Sequence, residues 1–270
     1  MKAIVNQPVC HLYTRPTRES ALTDEVLYGM VVEILEAAAP GWYRVRTHYR
    51  YEGFAAAADL LTENPELWEQ HPKIMVLNKN HCDVLSEPRV QGYPLVTLPR
   101  GGLVIPEGEP EAGWQKVRLA DGRTGFVPAA ILAAQPLEPV AREEAVLRKA
   151  LVETALLYQG TPYRWGGKSP QGIDCSGLCS MAYMLCGILI YRDADIREGF
   201  PIREIPMERI GPGDLIFFPG HVAMYLGDGR FCHSTAKQGS NGFAFNSLNP
   251  QDPDYREDLH KTITKIGSYF

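Results

Sequence analysis

The sequence predicts an α+β chain of 270 residues, in which two small all-β units precede a domain of helices followed by an antiparallel sheet. Three observations lead there. The first half holds short β-branched and aromatic runs broken by Gly and Pro, the pattern of strands and turns. Those runs recur with a period of about 72 residues, and self-similarity on that scale means copies of one unit. Beyond residue 138 two apolar helical stretches come first and strand-like runs follow, the order of an α+β domain.

Residues 1–62 form the first unit. Val26-Leu27-Tyr28, Val31 to Leu35 and Trp42 to Thr47 are its strands, broken by Gly29 and Pro40-Gly41. Trp42-Tyr43-Arg44-Val45-Arg46 alternates as a half-buried strand should. Tyr51-Glu52-Gly53-Phe54 makes a turn into another strand. Residues 63–72 are a connector helix, with Asn64 as its cap and Pro65 at its first position. Residues 73–137 repeat the plan. Val84 to Pro88 resembles Leu12 to Pro16, Gly113 to Arg118 resembles Gly41 to Arg46, and Trp42 and Phe54 recur as Trp114 and Phe126. Trp42, Trp68 and Trp114 are expected in cores.

Residues 138–270 form the third domain, after the linker Pro136-Leu137-Glu138-Pro139. Arg142 to Gln159 reads as an amphipathic helix and Cys175 to Cys186 as a second, stopped by Gly187. Leu215 to Phe218, Val222 to Leu226, Arg230 to Ser234 and Lys261 to Ile266 read as strands. Gly227-Asp228-Gly229 is a hairpin turn between two of them.

The chemistry gathers around Thr161 to Ala182. A Gly-rich loop, Tyr163 to Gly167, leads into Asp174-Cys175-Ser176-Gly177 and an apolar helix. Asp174 or Ser176 can cap that helix, which places Cys175 at its first turn. The free N–H groups and the helix dipole there favour a thiolate, the nucleophilic form of the residue. A lone cysteine opening a helix is more often a small buried hydrophobe. Here a glycine-hinged approach, a polar cap and two histidines on short strands, His221 and His233, favour a nucleophile with its base. His221 would take the thiol proton and His233 would orient it. The Cys175 backbone N–H is one oxyanion donor. His11, His48, His71, His81 and His260 lack such a setting and read as packing or surface residues.

Composition bounds the remaining choices. Hydrophobic residues make up 45% and charged residues 22%, and net charge is −5 with no basic cluster, so no nucleic-acid partner is expected. The six cysteines show neither zinc spacing nor a dense disulfide framework, and the count fits a reducing compartment. Cys175 and Cys179 have an i, i+4 spacing, but Cys179 and Cys186 read as helix core. No metal or cofactor is expected. No apolar run is long enough for a membrane span, and the start lacks a signal-peptide core. A cytoplasmic monomer is the expectation.

These residues resemble the NlpC-type papain-like cell-wall cysteine peptidases. Tyr163 to Gly167 matches the loop before the family's nucleophile, Asp174 to Leu178 the nucleophile motif, Pro219 to Tyr225 the base motif, and His233 the third polar residue. The gly-Trp-x-x-Val then Gly-Phe pattern of the repeats is similar to bacterial SH3-like barrels. The resemblance implies a papain-like catalytic domain preceded by two SH3-like barrels. This order is similar to the γ-D-glutamyl-L-diamino acid endopeptidase subgroup, which cuts peptidoglycan-derived stem peptides with a free N-terminal L-Ala. It implies the Tyr163 hydroxyl as a further oxyanion donor and Asp193 as partner of the substrate ammonium. It also implies Trp165 as a wall of the cleft and Tyr51 and Glu19 as first-barrel contributors. Asp174 and Ser176 flank the nucleophile and would either touch substrate or cap the helix. Two other readings stay open: a secreted hydrolase using the barrels to hold intact wall, and a non-enzymatic binding protein.

Overall fold

In the computed structural model, which describes residues 1–270, the chain divides into two units, Met1–Gln135 and Pro136–Phe270. The first unit is two SH3-like barrels. Strands β1 (Lys2–Val5), β2 (Val9–Tyr13), β3 (Leu22–Leu27), β4 (Val31–Ala39), β5 (Trp42–Thr47), β6 (Glu52–Ala56) and β7 (Leu60–Leu61) make the first. After helix α1 (Pro65–Gln70), the second uses β8 (Ile74–Val76), β9 (His81–Leu85), β10 (Pro94–Pro99), β11 (Leu103–Pro106), β12 (Trp114–Arg118), β13 (Thr124–Pro128) and β14 (Leu132–Ala134). Strand order is β3-β2-β6-β5-β4-β1-β7 in one and β10-β9-β13-β12-β11-β8-β14 in the other, the same path twice. Even the register repeats: Trp42 faces Ala56 and Trp114 faces Pro128, while Arg44 faces Phe54 and Lys116 faces Phe126.

The two barrels share a seam. Tyr28 is buried, and its hydroxyl accepts the Ala120 N–H at 2.9 Å while its carbonyl accepts the Leu103 N–H at 2.8 Å. Gly29 has φ +77°, and a Cβ there would sit 2.3 Å from the Leu103 carbonyl oxygen, so only glycine permits the approach. Trp68 on α1 is buried with Ile4 and Ile105 and donates its indole N–H to the Gly29 carbonyl at 2.8 Å.

Two expectations change here. Asn64 does precede α1, but its left-handed backbone (φ 49°) leaves its side chain making no capping bond, because side-chain capping needs an extended residue. Trp42 and Trp114 are half-buried rather than core. They open β5 and β12, and Trp42 meets Tyr13 in a T-shaped contact, at 5.6 Å between centroids.

In the second unit α2 (Glu144–Leu156) buries Leu147, Leu151 and Ala155. A short hairpin, β15 (Lys168–Ser169) with β16 (Gly172–Ile173), leads to α3 (Cys175–Leu185). Then come β17 (Arg203–Ile205), β18 (Leu215–Phe218), β19 (His221–Gly227), β20 (Arg230–Thr235), β21 (Gly242–Ser247), α4 (Glu257–His260) and β22 (Lys265–Ser268). The sheet runs β17-β22-β18-β19-β20-β21, antiparallel throughout. Helix α3 is buried nearly end to end and packs on β19 and β20. Gly187 ends it in the left-handed conformation, φ +82°. Asp214, fully buried, ties α2 to the sheet: it takes Arg148 at 3.0 Å and the Ser268 hydroxyl at 2.6 Å.

Lys261 to Ile266 is not a strand. Its first residues close α4, where the Thr262 hydroxyl donates to the Asp258 carbonyl at 2.8 Å, and β22 begins only at Lys265. Local capping outweighs the alternating pattern. Strands β17 and β21 lie where no strand was expected. β21 is mostly half-buried and glycine-led, which blurs its alternation, yet it pairs with β20 at six positions.

Candidate active site

The site is assembled around one carboxylate. Asp174 is extended (φ −93°, ψ −178°) and its side chain accepts the Gly177 N–H at 2.6 Å, so of the two candidate caps it is Asp174 that caps α3. It also accepts the Gly166 N–H at 2.8 Å and both amino groups of Arg192, at 3.0 and 3.2 Å. Arg192 is 1% exposed and reaches further, to the Ser176 hydroxyl at 2.8 Å and the Gly167 carbonyl at 3.2 Å. The glycine loop and the helix start are thereby stapled together. Gly177 has to be glycine, because a Cβ would lie 2.1 Å from the Gly167 oxygen. Ionised groups can be buried this way because each is paired and fully hydrogen-bonded.

Cys175 follows as the first residue of α3. The backbone N–H groups of Ser176, in the helix turn, and of Val222, directly after His221 on β19, both act to favour its thiolate. The thiol therefore lies where the helix start meets the histidine strand. Its charge state differs from the sequence expectation. Burial, then the neighbouring Asp174, push its pKa up to about 11, against the opposing pull of those two N–H groups and Arg192. The helix start favours a thiolate, but desolvation at 7% exposure outweighs it, and the resting residue is a thiol.

His221 Nε2 and His233 Nδ1 are 2.7 Å apart, and His233 Nε2 lies 2.9 Å from Asn246 Oδ1. The Asn246 amide is oriented by its own Nδ2, which donates to the Asp254 carbonyl at 2.9 Å. Its oxygen can only accept, so His233 carries its proton on Nε2 and accepts through Nδ1. His221 must then donate from Nε2, which leaves its Nδ1 with a free lone pair. Burial lowers the His221 pKa to about 4, with help from Arg256, and lowers His233 to about 3, with help from His221. Phe218 and Phe231 flank the pair at 5.8 and 5.2 Å between ring centroids. Both rings rest neutral, as a proton acceptor needs.

Tyr163 lies on the loop before the hairpin, half-buried. Burial, then the charge it would face at Cys175, push its hydroxyl up to about 12, so it stays a donor. Ser176, Tyr191, Asp193, Arg197, Phe200 and Val222 line a small recess together with Cys179 of α3, and Asp193 and Arg197 stand exposed at it. Asp193 accepts the Tyr191 hydroxyl at 3.2 Å. Trp165 is 67% exposed and stands outside that lining. Glu19 and Tyr51 belong to the other unit. Glu19 is exposed in the β2–β3 connection and its N–H donates to the Thr17 hydroxyl, while Tyr51 is half-buried in the β5–β6 turn with its N–H on the Thr47 hydroxyl. Cys179 is buried inside α3, and no three His, Cys, Asp or Glu side chains are grouped to hold a metal ion.

The profile of the NlpC/P60 family matches residues 160–255, which include Tyr163, Asp174, Cys175, Arg192, His221, His233 and Asn246, and that of the bacterial dipeptidyl-peptidase SH3 domain matches residues 12–60. Dipeptidyl-peptidase 6 of Lysinibacillus sphaericus is 46% identical over the whole of both chains. The chain belongs to the NlpC/P60 family. It is a peptidase of that family with SH3-like barrels ahead of a papain-like domain. Gamma-D-glutamyl-L-lysine dipeptidyl-peptidase of Bacillus cereus is 40% identical over 94 residues, 31% of this chain and 27% of its own. A crystal structure of an NlpC/P60 family protein from Bacillus cereus superposes with a TM-score of 0.82 over 100% of this chain and 99% of that one, at 21% identity, and shares the fold.

Three residues escaped the sequence reading. Asn246 gave a weak signal, a lone amide in the aromatic run Phe243-Ala244-Phe245. Arg192 adjoins Asp193 yet looked like part of a polar loop. Arg197 gave no signal.

Proposed function

We propose that the chain is a cysteine peptidase cutting the γ-D-Glu–L-diamino acid bond of peptidoglycan-derived peptides with a free N-terminal L-Ala. One observation carries the reading: the backbone N–H of Val222, the residue after His221 at the start of β19, acts on the Cys175 thiol, and one nitrogen of the His221 ring is tied down by His233. The sulfur attacks the γ-carbonyl carbon as its proton passes to His221 Nδ1. His233 and Asn246 hold that ring and share the charge it gains. The Cys175 backbone N–H and the Tyr163 hydroxyl receive the developing oxyanion. The C–N bond breaks and His221 returns the proton to the departing amine. Water, activated by the same ring, then hydrolyses the thioester and frees L-Ala-γ-D-Glu. Asp193 pairs with the L-Ala ammonium. An acylated alanine brings no charge to that carboxylate, so the site selects free peptides over intact wall, which supports a role in peptide recycling in the cytoplasm.

The test is incubation with L-Ala-γ-D-Glu-L-Lys, its diaminopimelate counterpart and their N-acetylated forms, followed by mass spectrometry. The free peptides should release L-Ala-γ-D-Glu and the acetylated ones should persist. Intact free peptides after long incubation with folded, reduced enzyme would overturn the reading.

A further inference from the structure

We propose that Arg197 is a specificity residue that binds the free α-carboxylate of the substrate's γ-linked glutamate. This deepens the function proposed above and rests on it. Arg197 lines the recess together with Ser176, next in sequence to the nucleophile, and Val222, both of whose N–H groups act on the Cys175 thiol. Two carboxylates, Asp193 and Asp195, line the same recess, and the Asp195 pKa is lowered by Lys265 first and by the Arg197 charge last. Asp195 is taken by Lys265 at 2.7 Å and by the Ile196 N–H at 2.8 Å. The guanidinium instead lies over the Tyr191 ring, 4.7 Å from its centroid, and donates to the Tyr191 hydroxyl at 3.2 Å. Stacking on an aromatic face fixes its plane and leaves other N–H groups for a planar acceptor.

The Tyr191 hydroxyl also donates to Asp193 at 3.2 Å. A cation and an anion thus flank one hydroxyl and stand no further apart than about twice that distance. A substrate matching them has an ammonium and a carboxylate separated by roughly two residues of backbone, about 6 Å. L-Ala-γ-D-Glu has that form. Because the chain continues through the γ-carbonyl, the α-carboxylate of its glutamate stays free, one ammonium-to-carboxylate span from the L-Ala nitrogen. With the ammonium at Asp193, the carboxylate falls to Arg197 and the γ-carbonyl remains for the thiol. An α-carboxamide in the same place has no charge to offer. It would leave the guanidinium unpaired and present it with an N–H₂ group.

Two arms test this. In the first, wild type and Arg197→Gln hydrolyse L-Ala-γ-D-Glu-L-Lys and its α-carboxamide analogue. Wild type should favour the carboxylate by about 10- to 100-fold in kcat/KM, the usual worth of a charged hydrogen bond, mostly through KM. Arg197→Gln should lose that preference, falling on the carboxylate and not on the carboxamide, whose unpaired guanidinium is then gone, and Arg197→Lys should restore part of it. Equal loss on both substrates, or an unchanged preference, would overturn the assignment. In the second arm, calorimetry measures binding of L-Ala-γ-D-Glu and its carboxamide to Cys175→Ala with and without Arg197→Gln. Discrimination that disappears with Arg197 supports the carboxylate subsite even if no tripeptide is cut, in which case only the proposed reaction fails. Cleavage of the tripeptides without any such discrimination defeats the subsite alone.

Discussion

The second barrel and the peptidase unit bury different kinds of side chain. The barrel core is largely aliphatic: Val76, Val84, Leu98, Val104, Val117 and Val127 close around it, the Tyr28 hydroxyl there is bonded to Ala120, and the buried Arg100 lies to one side, donating to the Leu77 carbonyl and Asn80. The peptidase unit buries Asp174, Arg192, Asp214 and His233 at 7% exposure or less. Apolar burial makes a stable shape but sets no charge. Paired burial of ions fixes loops to a helix start and leaves a thiol and an imidazole in a dry, neutral setting. The difference teaches that the barrel should respond to mutation through volume and the peptidase unit through charge.

The sharpest break of that contrast is Cys175→Ala. Activity should fall by at least about 10⁴-fold, as for other nucleophile knockouts, with the melting temperature unchanged within error. Residual turnover at a tenth of wild type would remove Cys175 from the chemistry. Next, Arg192→Met should cost about 3–5 kcal/mol, because Asp174 is left buried without its counter-ion, read as a lower urea midpoint. A cost below about 1 kcal/mol would show the carboxylate can be resolvated. Leu98→Ala, in the barrel, should cost about 2–5 kcal/mol through its cavity while kcat stays near wild type.

A smaller effect is expected at Asn246. Asn246→Leu frees His233 to adopt the other tautomer, and kcat should drop about 10- to 100-fold with KM little changed, the scale of lost outer partners of a functional imidazole. Wild-type kcat in that variant would mean the ring is oriented without the amide. The mildest test is pH. His221 and His233 have folded values near 4 and 3 against an ordinary value of 6.5. Below about pH 6.5 the unfolded chain takes up these protons and the native one does not, so stability falls as pH drops through that window and is fully present above it. Denaturation midpoints should therefore decline from pH 7 to 4.5, and replacing both rings should flatten the trend.

Much of the fold was legible because its determinants are local or periodic. The 72-residue repeat of Trp and Gly-Phe survives as a repeated register, and the capped start of α3 sits where Asp174 and Gly177 place it. Of the Cys, His, His set, the two histidines are the pair the β19–β20 hairpin brings within hydrogen-bond distance. What was not legible is long-range or energetic. Arg192 reaches Asp174 from 18 positions away, and no periodicity reports such a pairing. The thiol's charge state is set by how much of it the surrounding protein covers, which the helix start alone does not reveal. β22 and β21 depended on a helix cap and on partners across the sheet.

The seam at Tyr28, Gly29 and Trp68 has a consequence for how such chains are assembled in evolution. Each copy of the repeat supplies atoms that complete its neighbour, and the helix between them contributes the indole that seals the joint. Recombination that transplanted a single copy would expose the Ile4 and Ile105 faces to water. The pair with its connector is therefore the piece whose transfer between genes would keep that joint sealed.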